Sequence, residues 1–447
     1  MIEGEDVLNK FASPARILVL GFALVILVGT LLLMLPAATT NHQGLSFIDA
    51  LFEATSAVCV TGLVVVDTGT ALTPMGQVVL VLLIQIGGLG FMTMATLLSL
   101  LIGKRIGLRE RLIMREALNQ VSLQGIVRVT IYVVTLTLAI EGIAALILTL
   151  RWWPDLGFPK ALFFGVFHAI TGFCNAGFDL FGEFRSLTGY VADPVVNLVI
   201  CSLIALGGIG FTVIADVLKK RSFKRLSLHS KLVIFINLLL WVLGFVLFFV
   251  LEYNNPKTLQ PLSWDGKFWA SFFQSVTPRT AGYNTVDIGG MFAATQFLVV
   301  ILMFIGASPG STGGGIKTST FGALVMAVWA MIKGKRDVEV FQRRIPQEIV
   351  YRSLAIATIA GLLVVVMTML LTITERADFL TILFEVVSAF GTVGLTMGLT
   401  TKLTTIGKLL IALTMFVGRV GPLTLAFALA QGKGSTVRQP EEKIVVG

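Results

Sequence analysis

This 447-residue chain is poor in charge, with Asp, Glu, Lys and Arg together making up 13% of it, and it holds only three histidines and three cysteines. So small a polar complement cannot cover the surface of a soluble globule of this length, and that class is excluded. Cys59, Cys174 and Cys201 form no CxxC and no Cys/His cluster, so neither a disulfide framework nor a zinc site is indicated. His42, His168 and His229 are scattered over a loop, a short apolar segment and the edge of a span. No catalytic constellation assembles around them, which argues against an intramembrane enzyme, and His168 reads as a local hydrogen bonder. The span interiors offer essentially Glu141 alone as a carboxylate, so a proton-coupled secondary transporter lacks its proton path. Glu141 reads as a polar contact between helices.

What the chain has instead is apolar length. Hydrophobic residues are 55% of it and its mean hydropathy is +0.90, the signature of a polytopic membrane protein. Eight stretches are long enough to cross a bilayer: about 17–36, 75–102, 129–150, 194–218, 231–251, 295–331, 350–373 and 405–430. The first could be taken for a signal peptide ending near Pro36. Its length is that of a span, however, and it stands before its loop as the later spans stand before theirs. Between the members of successive pairs lie shorter apolar segments, about 46–57, 160–172, 265–277 and 377–389, which suit re-entrant half-helices. The expected fold is therefore all-α with eight transmembrane helices. A unit of span, pore helix, loop and span occurs four times around one central pore, at 17–102, 129–218, 231–331 and 350–430, between termini at 1–16 and 431–447.

A motif marks each unit. A phenylalanine is followed ten residues later by a glycine at Phe52 and Gly62, Phe167 and Gly177, Phe272 and Gly282, and Phe384 and Gly394. Any one of these glycines could simply allow a tight turn or close helix packing. Four in one register point to four similar loops closing a ring, the way a membrane pore selects a cation with carbonyl oxygens. Half-helices entering from one face would aim their C-terminal ends, with partial negative charge, at the bilayer centre. The returning backbone at that depth must line water or be buried in protein, and glycine accepts positive φ with no Cβ to block a narrow axis. The candidate ion-binding positions are Val60, Thr61 and Gly62; Asn175, Ala176 and Gly177; Thr280, Ala281 and Gly282; and Thr392, Val393 and Gly394, with the cation held at the four glycines.

Charge supplies an orientation. Lys104, Arg105, Arg109, Arg111 and Arg115 occupy one connection, Lys219, Lys220, Arg221, Lys224 and Arg225 a second, and Lys333, Lys335, Arg336, Arg343 and Arg344 a third. The positive-inside rule makes these connections and both termini cytoplasmic. Asp155, Asp179, Glu183 and Asp193 flank the half-helices on the opposite, outer side. The net charge of +9 is thus explained by topology and anionic lipid, with no nucleic acid needed.

The sixth span is interrupted by Gly306-Ala307-Ser308-Pro309-Gly310-Ser311-Thr312-Gly313-Gly314-Gly315, a run no helix would hold. A phosphate-binding loop requires lysine directly after its last glycine; here Ile316 intervenes before Lys317. Such backbone at mid-membrane should line a cavity beside the pore. Its counterparts, Gly87-Gly88-Leu89-Gly90, Gly207-Gly208-Ile209-Gly210 and Gly418-Arg419-Val420-Gly421, read as close helix packing. Arg419, near the middle of the last span, should face the bundle interior and find acceptors, for which loop carbonyls are suited.

With these loops the chain resembles the Trk/Ktr/HKT superfamily of potassium and sodium transporters over nearly its whole length, and Thr277-Pro-Arg-Thr-Ala-Gly-Tyr283 is especially similar to the family pattern. It looks most like the ion-translocating membrane subunit of a bacterial Ktr system. The resemblance implies that residues 306 to 316, from Gly306 to Ile316, obstruct the pore just inside the filter as its gate, together with Lys317 and Arg419. It also implies potassium as the substrate, sodium as a candidate activator, no cofactor in this chain, and a homodimer seated on a cytoplasmic ring of nucleotide-binding subunits. Some sodium-preferring plant members carry serine in the first loop, so Gly62 favours potassium over a sodium-selective member of the same superfamily.

Overall fold

The computed structural model describes residues 14–90, 93–94, 126–422 and 424–425. The first basic connection, residues 104–115, and nearly all of both terminal segments lie outside the described residues. Apart from one-turn pieces, the first unit contains α1 (Pro14–Leu33), α2 (Phe47–Val58) and α3 (Pro74–Leu89). The second contains α4 (Ile126–Leu156), α5 (Phe158–Phe173), α6 (Pro194–Ile209) and α7 (Phe211–Lys220). The third has α8 (Leu228–Glu252), α9 (Trp264–Val276), α10 (Ala293–Phe304) and α11 (Thr318–Ile332). The fourth has α12 (Gln347–Thr374), α13 (Phe379–Gly391) and α14 (Thr405–Val420). One departure from an all-helical chain is an antiparallel hairpin, β1 (Val338–Val340) and β2 (Arg343–Ile345), in the third basic connection.

The helices that open the units differ from those that close them. Among the described residues α1, α4, α8 and α12 are long and apolar enough to cross a membrane, and the pair α6 and α7, bent by 96°, makes a fifth if taken as one span. The closing stretches were expected to run unbroken at 75–102, 194–218 and 405–430. Instead α3, α6 and α14 stop at Gly90, Gly210 and Gly421, whose φ values of 82°, 96° and 91° no right-handed helix accepts. The interruption expected in the sixth span alone is thus a feature of all four closing helices, and the third unit adds an insertion at the break. The other glycines of those clusters do allow close packing. A Cβ at Gly87, Gly207 or Gly418 would lie 2.0, 1.9 or 2.0 Å from the carbonyl oxygen of Val58, Phe173 or Phe390, at the end of the unit's own short helix.

The short helices are set by their ends and their buried faces. Ser46 and Ser263 accept from the Asp49 and Gly266 N–H at 3.2 Å each and start α2 and α9. Phe52, Phe167 and Phe384 of the motif are at most 1% exposed, whereas Phe272 is half-buried and its neighbour Phe273 takes the core position. Packing then runs in a cycle. Each opening helix lies on its own short helix, and each closing helix also meets the short helix of the next unit: α3 with α5, α6 with α9, α10 with α13, and α14 with α2. The last contact closes the circle.

Candidate functional site

The four motif glycines meet at the centre of that circle. After each short helix, at once after α13, after one residue beyond α2 and α5 and after three beyond α9, comes a residue in the left-handed region, Val60 (φ 52°), Asn175 (59°), Thr280 (72°) and Thr392 (49°), two positions before the glycine. For β-branched Val60, Thr280 and Thr392 this conformation is strained and persists only where the surroundings impose it. Hydrogen bonds to the helix ends impose it here. Thr61, Ala176 and Val393 N–H donate to Ser56, Thr171 and Ser388 carbonyls at 2.8 Å each, and Gly62 and Gly394 N–H donate to Ser56 and Ser388 Oγ at 3.1 Å. The third loop is wound one residue tighter, Ala281 N–H reaching the Thr277 carbonyl at 3.0 Å.

A cyclic order again appears at the glycines. A Cβ on Gly62 would lie 2.4 Å from Ala176 O, on Gly177 2.6 Å from Ala281 O, on Gly282 2.6 Å from Val393 O, and on Gly394 2.1 Å from Thr61 O. The carbonyls of the four residues preceding the glycines therefore form a ring in which each abuts a glycine of the adjoining unit. No side chain fits in that ring. It borders a cavity of about 70 Å³ that also takes in Asp67 and Asp179. Burial pushes the Asp179 carboxyl up to about 7, the Phe181 N–H pulling against that and Asp67 adding to it.

Directly beneath the ring lies the polar loop between α10 and α11. Gly314 N–H donates to Thr392 Oγ1 at 2.9 Å, and a Cβ on Gly313 would lie 2.1 Å from Thr280 Oγ1. Ala307 N–H meets the Gly314 carbonyl at 3.2 Å, and Ile305 pairs with Ile316, so both legs of the loop are tied together. The tip docks on the break in the second unit: Ser308 and Thr312 N–H donate to Gly208 and Gly207 carbonyls at 3.0 and 3.1 Å, and Phe211 N–H donates to Gly310 O at 2.9 Å. Pro309 and Ser311 sit at that tip, the Ser311 hydroxyl donating to Ser308 O at 2.6 Å. Lys317 Nζ donates to Gly313 O at 2.7 Å. Arg419 donates to Thr312 O and to the Gly87 and Gly88 carbonyls, so one guanidinium joins the third, fourth and first units. On the far side of the loop a second cavity, of about 230 Å³, is lined by Gly313, Lys317, Arg352 and Arg419 among others.

Four residues that hold this arrangement escaped the sequence reading. Arg279, 4% exposed, donates to Gly306 O at 2.9 Å and Asn237 Oδ1 at 3.2 Å, tying the third ring loop to the start of the polar loop. Asn237 also donates to Ser308 Oγ at 3.2 Å. Glu53 accepts from Val65 and Val66 N–H at 2.8 and 3.1 Å, and Glu385 accepts from Thr396 Oγ1 at 2.7 Å and from Thr400 Oγ1, so each anchors the backbone leaving its glycine. Both glutamates directly follow a motif phenylalanine, a signal the register offered. His168, in the same slot, contacts the Phe164 carbonyl at 2.7 Å, a local hydrogen bond. Glu141 accepts from Gln85 Nε2 at 3.3 Å across two helices.

Comparison with known proteins follows the same outline. The TrkH family, described as a cation transport protein, matches residues 9–436. The chain is 49% identical over 435 residues to the Ktr system potassium uptake protein B of Bacillus subtilis (strain 168), covering 97% of each. It is 42% identical over 434 residues to the Ktr system potassium uptake protein B of Vibrio alginolyticus, covering 97% of this chain and 94% of that one. Over 446 residues it is 42% identical to the potassium/sodium uptake protein NtpJ of Enterococcus hirae, covering 98% of each. A crystal structure of the potassium transporter TrkH from Vibrio parahaemolyticus matches with a TM-score of 0.70 at 21% identity, over 92% of this chain and 85% of that one, which is a likeness of fold.

Proposed function

The chain belongs to the TrkH family of cation transport proteins, and on that premise we propose that it moves potassium ions across the cell membrane as the ion-translocating subunit of an uptake system. The observation that carries this reading is the closed ring of four glycines and the carbonyls of Thr61, Ala176, Ala281 and Val393. Carbonyl oxygens on a narrow axis can replace the hydration shell of a monovalent cation, while the short helices aim their negative ends at it. The four units, 17–102, 129–218, 231–331 and 350–430, then surround one pore. The ring is its filter, the cavity holding Asp67 and Asp179 its outer mouth, and the cavity holding Lys317 and Arg419 its inner mouth.

Residues 306–316 separate the two mouths and act as the gate. Their carbonyls are held by Arg419, Lys317 and Arg279, so opening must break or move those contacts. The basic connections and both termini face the cytoplasm, in line with the charge asymmetry. Relatives named as parts of Ktr systems support a further component of the system. A homodimer on a ring of nucleotide-binding subunits is the assembly proposed, with sodium as a candidate activator. The name of the Enterococcus relative keeps sodium in view as a second cargo.

The test is potassium-dependent growth of an uptake-deficient bacterium expressing the chain, paired with potassium flux into liposomes holding the purified protein. Growth at limiting potassium and flux above empty liposomes support the reading. A folded, inserted chain that moves no potassium in either assay overturns it.

A further inference from the structure

Behind the ring the four units are not braced alike. In each, a hydroxyl-bearing residue stands four positions after the buried phenylalanine of the short helix: Ser56 after Phe52, Thr171 after Phe167, Thr277 after Phe273 and Ser388 after Phe384. In the first and fourth units that hydroxyl holds its own loop, accepting from the Gly62 and Gly394 N–H at 3.1 Å. In the other two it is drawn to Tyr283. Thr171 Oγ1 meets the Tyr283 hydroxyl, and Thr277 Oγ1 donates to the Tyr283 carbonyl at 2.5 Å.

Tyr283 follows Gly282, whereas the residues after the other three glycines, Leu63, Phe178 and Leu395, have no hydroxyl. Its side chain is wholly buried and crosses from the third loop to the second. There its hydroxyl donates to the Phe178 carbonyl at 3.0 Å and, with only one proton to give, accepts from Thr171 Oγ1. Phe178 directly follows Gly177, so the backbone leaving the second glycine is held by a residue of the adjoining unit. Two further rungs join the same two loops. On the side of the polar loop Asn175 and Thr280 Oγ1 meet at 3.2 Å. On the side of Asp67 and Asp179, Asn284 N–H donates to Ser186 Oγ at 3.1 Å, and its carbonyl accepts from Leu187 N–H at 3.0 Å. The first and second loops share one rung, Phe184 N–H to Asp67 Oδ2 at 2.9 Å. Among the described residues no such rung joins the third loop to the fourth or the fourth to the first.

We propose that Tyr283 is a positioning residue for ion selection: its hydroxyl fastens the second and third loops into one body and so fixes the spacing of the Ala176 and Ala281 carbonyls in the ring. The inference rests on the reading of that ring as a potassium filter. A ring held at one spacing favours the cation that fits it, whereas a ring free to contract accepts the smaller sodium ion. Without the hydroxyl, the Phe178 carbonyl loses a buried donor. The second loop is the one released, because its glycine N–H has no hydroxyl brace of its own among the described residues.

The test is potassium and sodium flux, measured separately in liposomes holding the full chain, for the parent, Tyr283→Phe and Thr171→Val. Tyr283→Phe is expected to lower the potassium-to-sodium ratio several-fold by raising sodium flux, with a melting temperature close to the parent's. Thr171→Val should shift the ratio the same way, and the double variant should fall no further than the lower single, since both substitutions cut one link. Tyr190→Phe, in the same aromatic cluster beside Phe181, should leave the ratio unchanged. A folded Tyr283→Phe with the parent's ratio would overturn the proposal while leaving the transport reading in place. So would a fall in both fluxes at an unchanged ratio, an equal loss in Tyr190→Phe, or failure of both single variants to fold, each of which would make the contact one of packing alone. A parent that moves no potassium overturns the transport reading, and this inference with it.

Discussion

Asp179 shows what a single residue can add at the mouth of the ring. Its carboxyl lies with Asp67 in the cavity that borders the ring, and burial raises it to about 7. A raised carboxyl is mostly neutral below that value and charged above it, so the mouth gains negative charge as pH climbs from 6 to 8. A negative mouth concentrates cations. Uptake at limiting potassium is therefore expected to be weaker at pH 6 than at pH 8, and Asp179→Asn should flatten the profile near its low-pH level. Potassium uptake measured across that range checks this; a slope that survives in Asp179→Asn assigns the dependence elsewhere. Arg279 teaches another lesson at this scale. It stands in the stretch most similar to the family pattern, yet its part in tying Gly306 could not be read from the sequence, because its acceptors Asn237 and Gly306 are 42 and 27 residues away.

At the scale of the element, the closing helices carry the strictest steric demands. Gly207→Ala would place a Cβ 1.9 Å from the Phe173 carbonyl oxygen, backbone that cannot simply step aside. Overpacking of this kind costs about 1–3 kcal/mol or more and should lower the melting temperature in detergent. Gly142→Ala in the middle of α4 meets nothing within 4 Å and gains up to about 1 kcal/mol of helix propensity, so it should melt no lower than the parent. Equal melting of the two variants would contradict the packing geometry. The four short helices and the broken sixth span were legible because their lengths and the glycine-rich insertion are local signals. The breaks at Gly90, Gly210 and Gly421 were not, since each lies in an otherwise apolar stretch and only the positive φ distinguishes a breaking glycine from a packing one. The β1–β2 hairpin was missed for a like reason: strands of three residues carry too little alternation to be read.

The polar loop is the element on which the proposed gating rests. Deleting Ser311 to Gly314 removes Thr312 and Gly314, which meet Arg419, Phe173 and Thr392. Flux through purified protein in liposomes is expected to rise and to depend less on a cytoplasmic partner. Arg419→Ala should shift flux the same way where the protein folds. Unaltered or lower flux from a folded deletion variant would make the loop a structural kink, with gating placed elsewhere.

For the whole molecule, two claims remain to be measured, orientation and the ring. Single cysteines replacing His42, Gln260, Lys220 and Lys335 in a cysteine-free background should fall into two groups with impermeant reagent, the first two labelled from outside and the last two only from inside. Outside labelling of Lys220→Cys would reverse the topology. The ring is the central claim, and its cyclic geometry makes the four glycines equivalent: each faces a carbonyl of the adjoining unit at 2.1 to 2.6 Å from where a Cβ would stand. The direct test is the potassium-to-sodium flux ratio in liposomes for Gly62→Ser, Gly177→Ser, Gly282→Ser and Gly394→Ser, taken one at a time. A drop in potassium preference at all four positions is expected, since a Cβ and hydroxyl at any of them displaces a carbonyl of the next unit. A folded variant with an unchanged ratio at any one of them would contradict a four-membered filter.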